Sequence, residues 1–346
     1  MLKFKALKLN TFLEISKWED KIFTADHYNF QDLAIEVFRA QYQGNPLYRQ
    51  FVDSLGVQPL HVTRVEDIPF LPIQFFKART VATTSFEPEL IFESSGTTGD
   101  RVSRHFVKKL SLYRESLVRG FQIFYGRPER LCILAMLPGY LERQHSSLVA
   151  MVAELIRLSG NSNSGFYLND HEKLYQALVH NEIREQPVLL IGVTYALLAF
   201  AETYDLQLRH TTIMETGGMK GKREEITRQQ VHGFLTERLG VAPIHSEYGM
   251  TELLSQAYSD GNGFFKCPPW MKILIREEDD PLVVQSVPTG EKPLSGLLNI
   301  IDLANLYSCA FIATDDVGKL HRNHTFEVLG RRDDSDIRGC SLLTAQ

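Results

Sequence analysis

The sequence predicts an α/β protein in which helices cover β-sheets, with a smaller, mostly β piece toward the end of the chain. Two observations carry this. From residue 89 to residue 239, short apolar runs of strand length alternate with longer stretches whose apolar residues recur at helical spacing. From about Gly263 the helical period gives way to short runs rich in branched residues. Strands alternating with helices build sheets covered on both faces.

Taken in order, residues 26–55 set Leu33, Ala34, Val37 and Phe38 at helical spacing, and Gly44, Asn45 and Pro46 interrupt the helix. Residues 68–76, with Pro69 and Pro72, read as an extended segment. Strands are expected at 89–93, 130–137, 188–191 and 211–214, and helices at 110–124, 146–159, 195–204 and 222–239. The end piece contributes β-type runs at 272–275, 282–284 and 297–301. No repeat or low-complexity tract divides the chain, so a single domain over 1–346 is the economical reading. Its subregions are a helical opening at 1–85, α/β sheets at 86–262, a mostly β part at 263–330 and a hinge-like tail at 331–346.

Composition narrows the function. With 346 residues, 44% hydrophobic and 23% charged, the chain can bury a sizeable core. A net charge of -5 supplies no excess of cations to neutralise a phosphate backbone, which argues against nucleic acid as a partner. Cys132, Cys267, Cys309 and Cys340 lie far apart, the pattern of neither a zinc site nor a disulfide framework. The opening MLKFKALKLN has no apolar signal core, and the longest apolar stretch, 188–201, is too short for a membrane span. A soluble, cytoplasmic protein is expected.

The sharpest motif is Glu93-Ser-Ser-Gly-Thr-Thr-Gly99, which follows an expected strand. Glycine lets the backbone approach an anion, and the amides and hydroxyls of Ser94, Ser95, Thr97 and Thr98 can donate to phosphate oxygens. The string lacks the Walker A spacing. Read alone, it also describes an ordinary solvated turn. Three further strings follow in order: Ser246-Glu-Tyr-Gly-Met-Thr-Glu252, Ala313-Thr-Asp-Asp-Val-Gly318 and Gly330-Arg-Arg-Asp-Asp334.

Together the four strings resemble the successive core motifs of the adenylate-forming superfamily, which includes acyl-CoA synthetases, phenylacetate-CoA ligases and LuxE-type acyl-protein synthetases. The resemblance implies the large N-terminal-type domain of those enzymes, with ATP and Mg²⁺ as cofactors. It assigns Ser94, Ser95, Gly96, Thr97, Thr98 and Gly99 to the departing pyrophosphate. Tyr248 would stack on adenine, with Glu247, Gly249, Gly217 and Gly218 beside the nucleotide. Thr251 would touch the α-phosphate, and Glu252 would bind Mg²⁺, a hard cation suited to carboxylate and phosphate oxygens. Asp316 would accept the ribose hydroxyls and Arg331 would lie near the ribose or phosphate. Gly192 and Thr194 resemble the segment lining the acyl pocket. Tyr140 and His145 are further candidates on the substrate side.

Two departures refine the reading. Gly99 is followed by Asp100-Arg-Val-Ser-Arg104 instead of a Pro-Lys pair, so Arg101 or Arg104 is the candidate counter-charge. The chain also stops shortly after Asp334, where ordinary superfamily members begin a mobile domain carrying a catalytic lysine; this chain would do without it, use Lys220 or Lys222, or borrow it from a partner. The short form is similar to the LuxE-type branch, in which the acyl group passes to a cysteine near the C-terminus, and here that place is Cys340. The expected chemistry is activation of a carboxylic acid, with a fatty acid as the expected substrate, as acyl-AMP, then transfer to a thiol. An acyl-carrier, reductase or transferase protein would be the partner. Two alternatives stand beside it: a ligase that uses CoA or a carrier protein as acceptor, and a nucleotide-binding scaffold without turnover.

Overall fold

The computed structural model describes residues 15–94, 102–138, 145–217 and 226–332. In chain order the helices are α1 (Trp18–Lys21), α2 (Phe30–Gly44), α3 (Pro46–Ser54), α4 (Phe75–Ala78), α5 (Leu110–Tyr125), α6 (Ser147–Ser159), α7 (His171–Ile183), α8 (Thr194–Thr203) and α9 (Arg228–Leu239). The strands are β1 (Leu71–Pro72), β2 (Leu90–Glu93), β3 (Arg104–Val107), β4 (Cys132–Met136), β5 (Gly165–Phe166), β6 (Val188–Val193) and β7 (Thr211–Thr216). They continue with β8 (His245–Tyr248), β9 (Ala257–Ser259), β10 (Met271–Arg276), β11 (Val284–Gln285), β12 (Leu294–Asp302), β13 (Phe311–Leu320) and β14 (Phe326–Arg331). The chain gathers into two compact units made of interleaved stretches. The first comprises Met1–Leu117, Met250–Ser255 and Cys267–Phe326; the second comprises Val118–Gly249, Gln256–Lys266 and Glu327–Gln346.

In the first unit a sheet runs in the order β1-β13-β12-β10-β11, with β1 parallel to β13 and the other pairs antiparallel. Ile273 pairs with Ile300, which pairs in turn with Ile312, so one row of branched side chains crosses three strands. The break foreseen at Gly44 is where Asn45 caps α3 by accepting from the Tyr48 amide, with Pro46 as first helical residue. Phe38 of α2 and Tyr48 of α3 both meet Phe311, the tyrosine stacked and the phenylalanine edge-on. Strands β2 and β3 form an antiparallel hairpin in which Glu93 pairs with Arg104.

In the second unit the sheet order is β5-β4-β6-β7-β8-β9; all neighbours are parallel except β8 and β9. Every residue of β4 and β6 is buried, as expected for strands covered on both faces. Helix α9 starts with a capping box between Thr227 and Gln230 and stops at Gly240 in the left-handed region. Its onset at Arg228 is later than the expected 222. Helix α7 was not foreseen, because few of its residues are buried and they mark only a weak stripe: Leu174, Leu178 and Asn181. Strand β13 was likewise not foreseen: the Ala313–Gly318 motif lies inside a strand that runs for ten residues.

Candidate active site

The carboxyl edge of the parallel sheet in the second unit is the natural place for a ligand, since strand ends there expose backbone and helix starts. Three of the motif segments meet at this edge. Strand β6 ends at Val193, paired with Thr216 at the end of β7, and Thr216 is paired with Glu247 near the end of β8. Thr194 and Gly217 therefore follow β6 and β7, while Tyr248 ends β8 and Gly249 follows it, so the three segments lie side by side. Gly217 has φ +69, a conformation that glycine adopts without penalty.

Glu215 organises the face of this edge that carries Thr194 and Ser246. The Ser246 hydroxyl donates to its Oε1 at 2.7 Å, and the Thr194 hydroxyl lies 3.0 Å from its Oε2 and 2.5 Å from the Gly217 carbonyl oxygen. Arg228 Nε and His232 Nε2 of α9 stand 3.8 and 3.7 Å from Oε1. Burial works to raise the Glu215 carboxyl, but His232, Arg228 and Ser246 outweigh it and hold the group below the usual carboxylate range.

Glu247 lies on the other face, with its Oε2 accepting the Thr216 hydroxyl at 2.6 Å. Burial, aided by the Glu215 charge and opposed by Thr216, pushes it up to about 7. Tyr248 is 9% exposed and its ring meets Phe265 at 5.9 Å; the Arg228 guanidinium sits 5.4 Å from the same Phe265 ring. Gly192 is packed closely: a Cβ there would stand 2.9 Å from the Leu197 side chain and 3.0 Å from Met136. Arg331 is exposed at the end of β14, and His145 is exposed just before α6.

The first unit carries the remaining motif residues. At the end of the β2–β3 hairpin the Ser94 amide donates to the Ser103 carbonyl at 3.0 Å, and the Ser103 amide donates to Ser94 Oγ at 2.9 Å. Residues 95–99, 101, 140, 218, 220, 222 and 340, named above as site candidates, lie outside the described residues. Arg104 is exposed on β3 with its guanidinium 5.9 Å from the Phe106 ring. Asp316 is buried within β13, and its amide bonds the Thr314 hydroxyl at 3.1 Å.

Thr251 and Glu252 lie in a turn closed by Leu253 N to Met250 O, and side chains from elsewhere in the unit hold its backbone. His105 Nδ1 lies 2.9 Å from Thr251 O, and Asn305 Nδ2 donates to Glu252 O at 2.8 Å. Asp302, fully buried, accepts from the amides of Leu254 and Ser255 at 2.8 and 2.9 Å and from Ser255 Oγ at 2.6 Å. Burial pushes the Asp302 carboxyl up, while these donors and Ala304 N pull it down. None of these holders, nor Glu215, was singled out from the sequence, because no motif contains them.

Glu252 is 5% exposed, and among the described residues no group of three His, Cys, Asp or Glu is placed to cage a metal. A single carboxylate sharing a cation with phosphates is how Mg²⁺ usually enters nucleotide sites, so the residue present fits that ion. Burial raises the thiols of Cys132, Cys267 and Cys309, in the last case to about 12, and an un-ionised thiol is a poor nucleophile. Among the described residues no helix is long and apolar enough to cross a membrane.

Comparison with known proteins places this geometry in a family. The profile described as "Acyl-protein synthetase, LuxE" matches residues 20–346. The chain is 24% identical to the long-chain-fatty-acid–luciferin-component ligase of Vibrio harveyi, over 99% of this chain and 96% of that protein. It is 23% identical to the ligase of the same name from Aliivibrio fischeri, over 98% and 96%. Among solved structures it resembles the luciferase-like enzyme of the nonluminescent Zophobas morio mealworm, with a TM-score of 0.50 and 18% identity. That match covers 73% of this chain and 60% of the mealworm enzyme, and it speaks to the fold alone. The chain belongs to the LuxE acyl-protein synthetase family and is an ATP-dependent ligase of the acyl-adenylate-forming class.

Proposed function

We propose that the protein activates a long-chain fatty acid with Mg·ATP as acyl-AMP and then passes the acyl group to a thiol, that of Cys340. The observation that carries the reading is the meeting of the Thr194, Gly217 and Tyr248 segments at the carboxyl ends of three adjacent parallel strands. The names of the two bacterial relatives support the long-chain acid. In the first step a carboxylate oxygen attacks the α-phosphorus and pyrophosphate leaves. Carboxylate and triphosphate repel, so positioning and charge neutralisation supply most of the rate.

In this reading Tyr248 stacks on adenine, flanked by Glu247, Gly249, Gly217 and Gly218, and Asp316 accepts from the ribose hydroxyls near Arg331. Glu252 carries Mg²⁺, Thr251 meets the α-phosphate, and residues 94–99 donate to the pyrophosphate oxygens. Gly192, Thr194, Tyr140 and His145 serve the acid. In the second step the Cys340 thiolate attacks the acyl carbon, a thioester forms and AMP leaves with its oxygen. We read it as a soluble protein that works with an acyl-carrier, reductase or transferase partner, and the luciferin component in the relatives' name supports a luminescence-type system.

The test is ATP–pyrophosphate exchange across a panel of acids, followed by a gel of protein incubated with labelled acid and ATP. Acid-dependent exchange is expected, with hydroxylamine-labile label that disappears in Cys340→Ala. Exchange without label moves the acceptor to CoA or a carrier protein, and absence of exchange refutes the ligase reading.

A further inference from the structure

We propose that His105 is a positioning residue for the adenylation step: by donating from Nδ1 to the Thr251 carbonyl it sets the Thr251–Glu252 turn for Mg·nucleotide. This rests on the adenylation reading above and adds to it a residue that no sequence motif contains.

A carbonyl oxygen only accepts, so the His105 nitrogen 2.9 Å from Thr251 O must carry the proton. Burial pulls the imidazole down to about 4, which keeps it neutral near pH 7, with Nε2 unprotonated. The ring is 1% exposed and is met edge-on by Phe76 at 5.8 Å, which leaves it little room to turn over.

The same turn is held at its next carbonyl by Asn305 and at two following amides by Asp302, both fully buried. Asn305 Oδ1 is buried without a hydrogen-bond partner, so the amide's donor end is the one the site uses. Three buried polar side chains, from β3, the end of β12 and the loop after it, thus determine the path of one short turn. Buried carbonyls and amides need partners in any turn, but a partner from any direction would serve stability alone. A turn that must deliver a carboxylate to a metal within a fraction of an ångström needs its partners in fixed places.

Two isosteres separate the two nitrogens. Asparagine puts its amide nitrogen near the place of Nδ1, and glutamine puts its own near Nε2. His105→Asn is expected to keep the Mg²⁺ concentration for half-maximal acid-dependent exchange within about threefold of wild type. His105→Gln is expected to need about tenfold more Mg²⁺ and to lose about tenfold in kcat, with the KM for the acid unchanged. Calorimetry without acid reads the same effect: Mg²⁺ strengthens ATP binding less in His105→Gln than in His105→Asn.

Two folded variants that share one Mg²⁺ dependence, whether normal or impaired, overturn the proposal. If His105→Gln does not fold, Asn305→Ala takes its place: a raised Mg²⁺ requirement with unchanged acid KM is expected, and an unchanged requirement overturns the inference. A wild-type protein with neither exchange nor Mg·ATP binding overturns the adenylation reading together with this one. Wild-type exchange with indifferent variants overturns this one alone.

Discussion

Thr216 and Glu247 are cross-strand partners at the ends of β7 and β8, and the threonine hydroxyl donates to the glutamate Oε2 at 2.6 Å. His245 and Tyr125 lie nearby, joined by a 3.1 Å contact, and the Glu215 carboxylate with its Arg228 and His232 partners occupies the opposite face. A carboxyl in that setting resists ionisation.

The pH dependence of stability follows. The folded-state value of Glu247, about 7, lies above its ordinary 4.5, so the folded chain holds this proton more tightly than the unfolded chain. Its contribution is fully present below pH 4.5 and is lost as pH rises through about 7. Glu247→Gln removes this dependence, so wild type should lose up to roughly 3 kcal/mol relative to the variant between those limits. Denaturant unfolding of both proteins at pH 5 and pH 8 checks it.

Gly249 should not tolerate a side chain while Glu247 keeps its place. A Cβ at 249 would stand 2.4 Å from Glu247 Oε1, so Gly249→Ala must push the carboxylate off Thr216. The expected cost is about 1 kcal/mol in wild type and close to none in a Glu247→Ala background. A double-mutant cycle in urea measures the difference.

Asn45 joins two tasks in one buried side chain. It caps α3 through Tyr48 N at 3.0 Å and donates to Ser308 O at 3.0 Å. Asn45→Ala should cost about 1 kcal/mol, chiefly from the lost cap, since the Ser308 carbonyl keeps the Thr83 hydroxyl as a donor at 2.6 Å. The thermal midpoint reports it.

Asp316 should distinguish ribose from deoxyribose if it accepts the sugar hydroxyls. Asp316→Asn is expected to raise the KM for ATP by about tenfold and to change that for 2′-deoxy-ATP much less. An equal rise for both nucleotides places Asp316 away from that hydroxyl.

How far these features were visible beforehand depended on the range over which they are encoded. The α2–α3 break is spelled out by Gly44, Asn45 and Pro46 in succession, and the alternation of β4, β6 and β7 with helices shows in apolar runs. The nucleotide-type strings are equally local. Helix α7 escaped notice because only a few of its positions face the core. His105 and Thr251 are 146 residues apart, and Asn305 and Glu252 are 53 apart, so their hydrogen bonds exist only after the sheets have formed. Asp302 reads in the sequence as an unremarkable end to an apolar strand.

The interleaving of the chain has a bearing on its synthesis. Phe38 and Tyr48 are synthesised well before the ring they close upon, Phe311. Until then α2 and α3 leave an oily flank uncovered, and a product truncated before Phe311 is expected to aggregate.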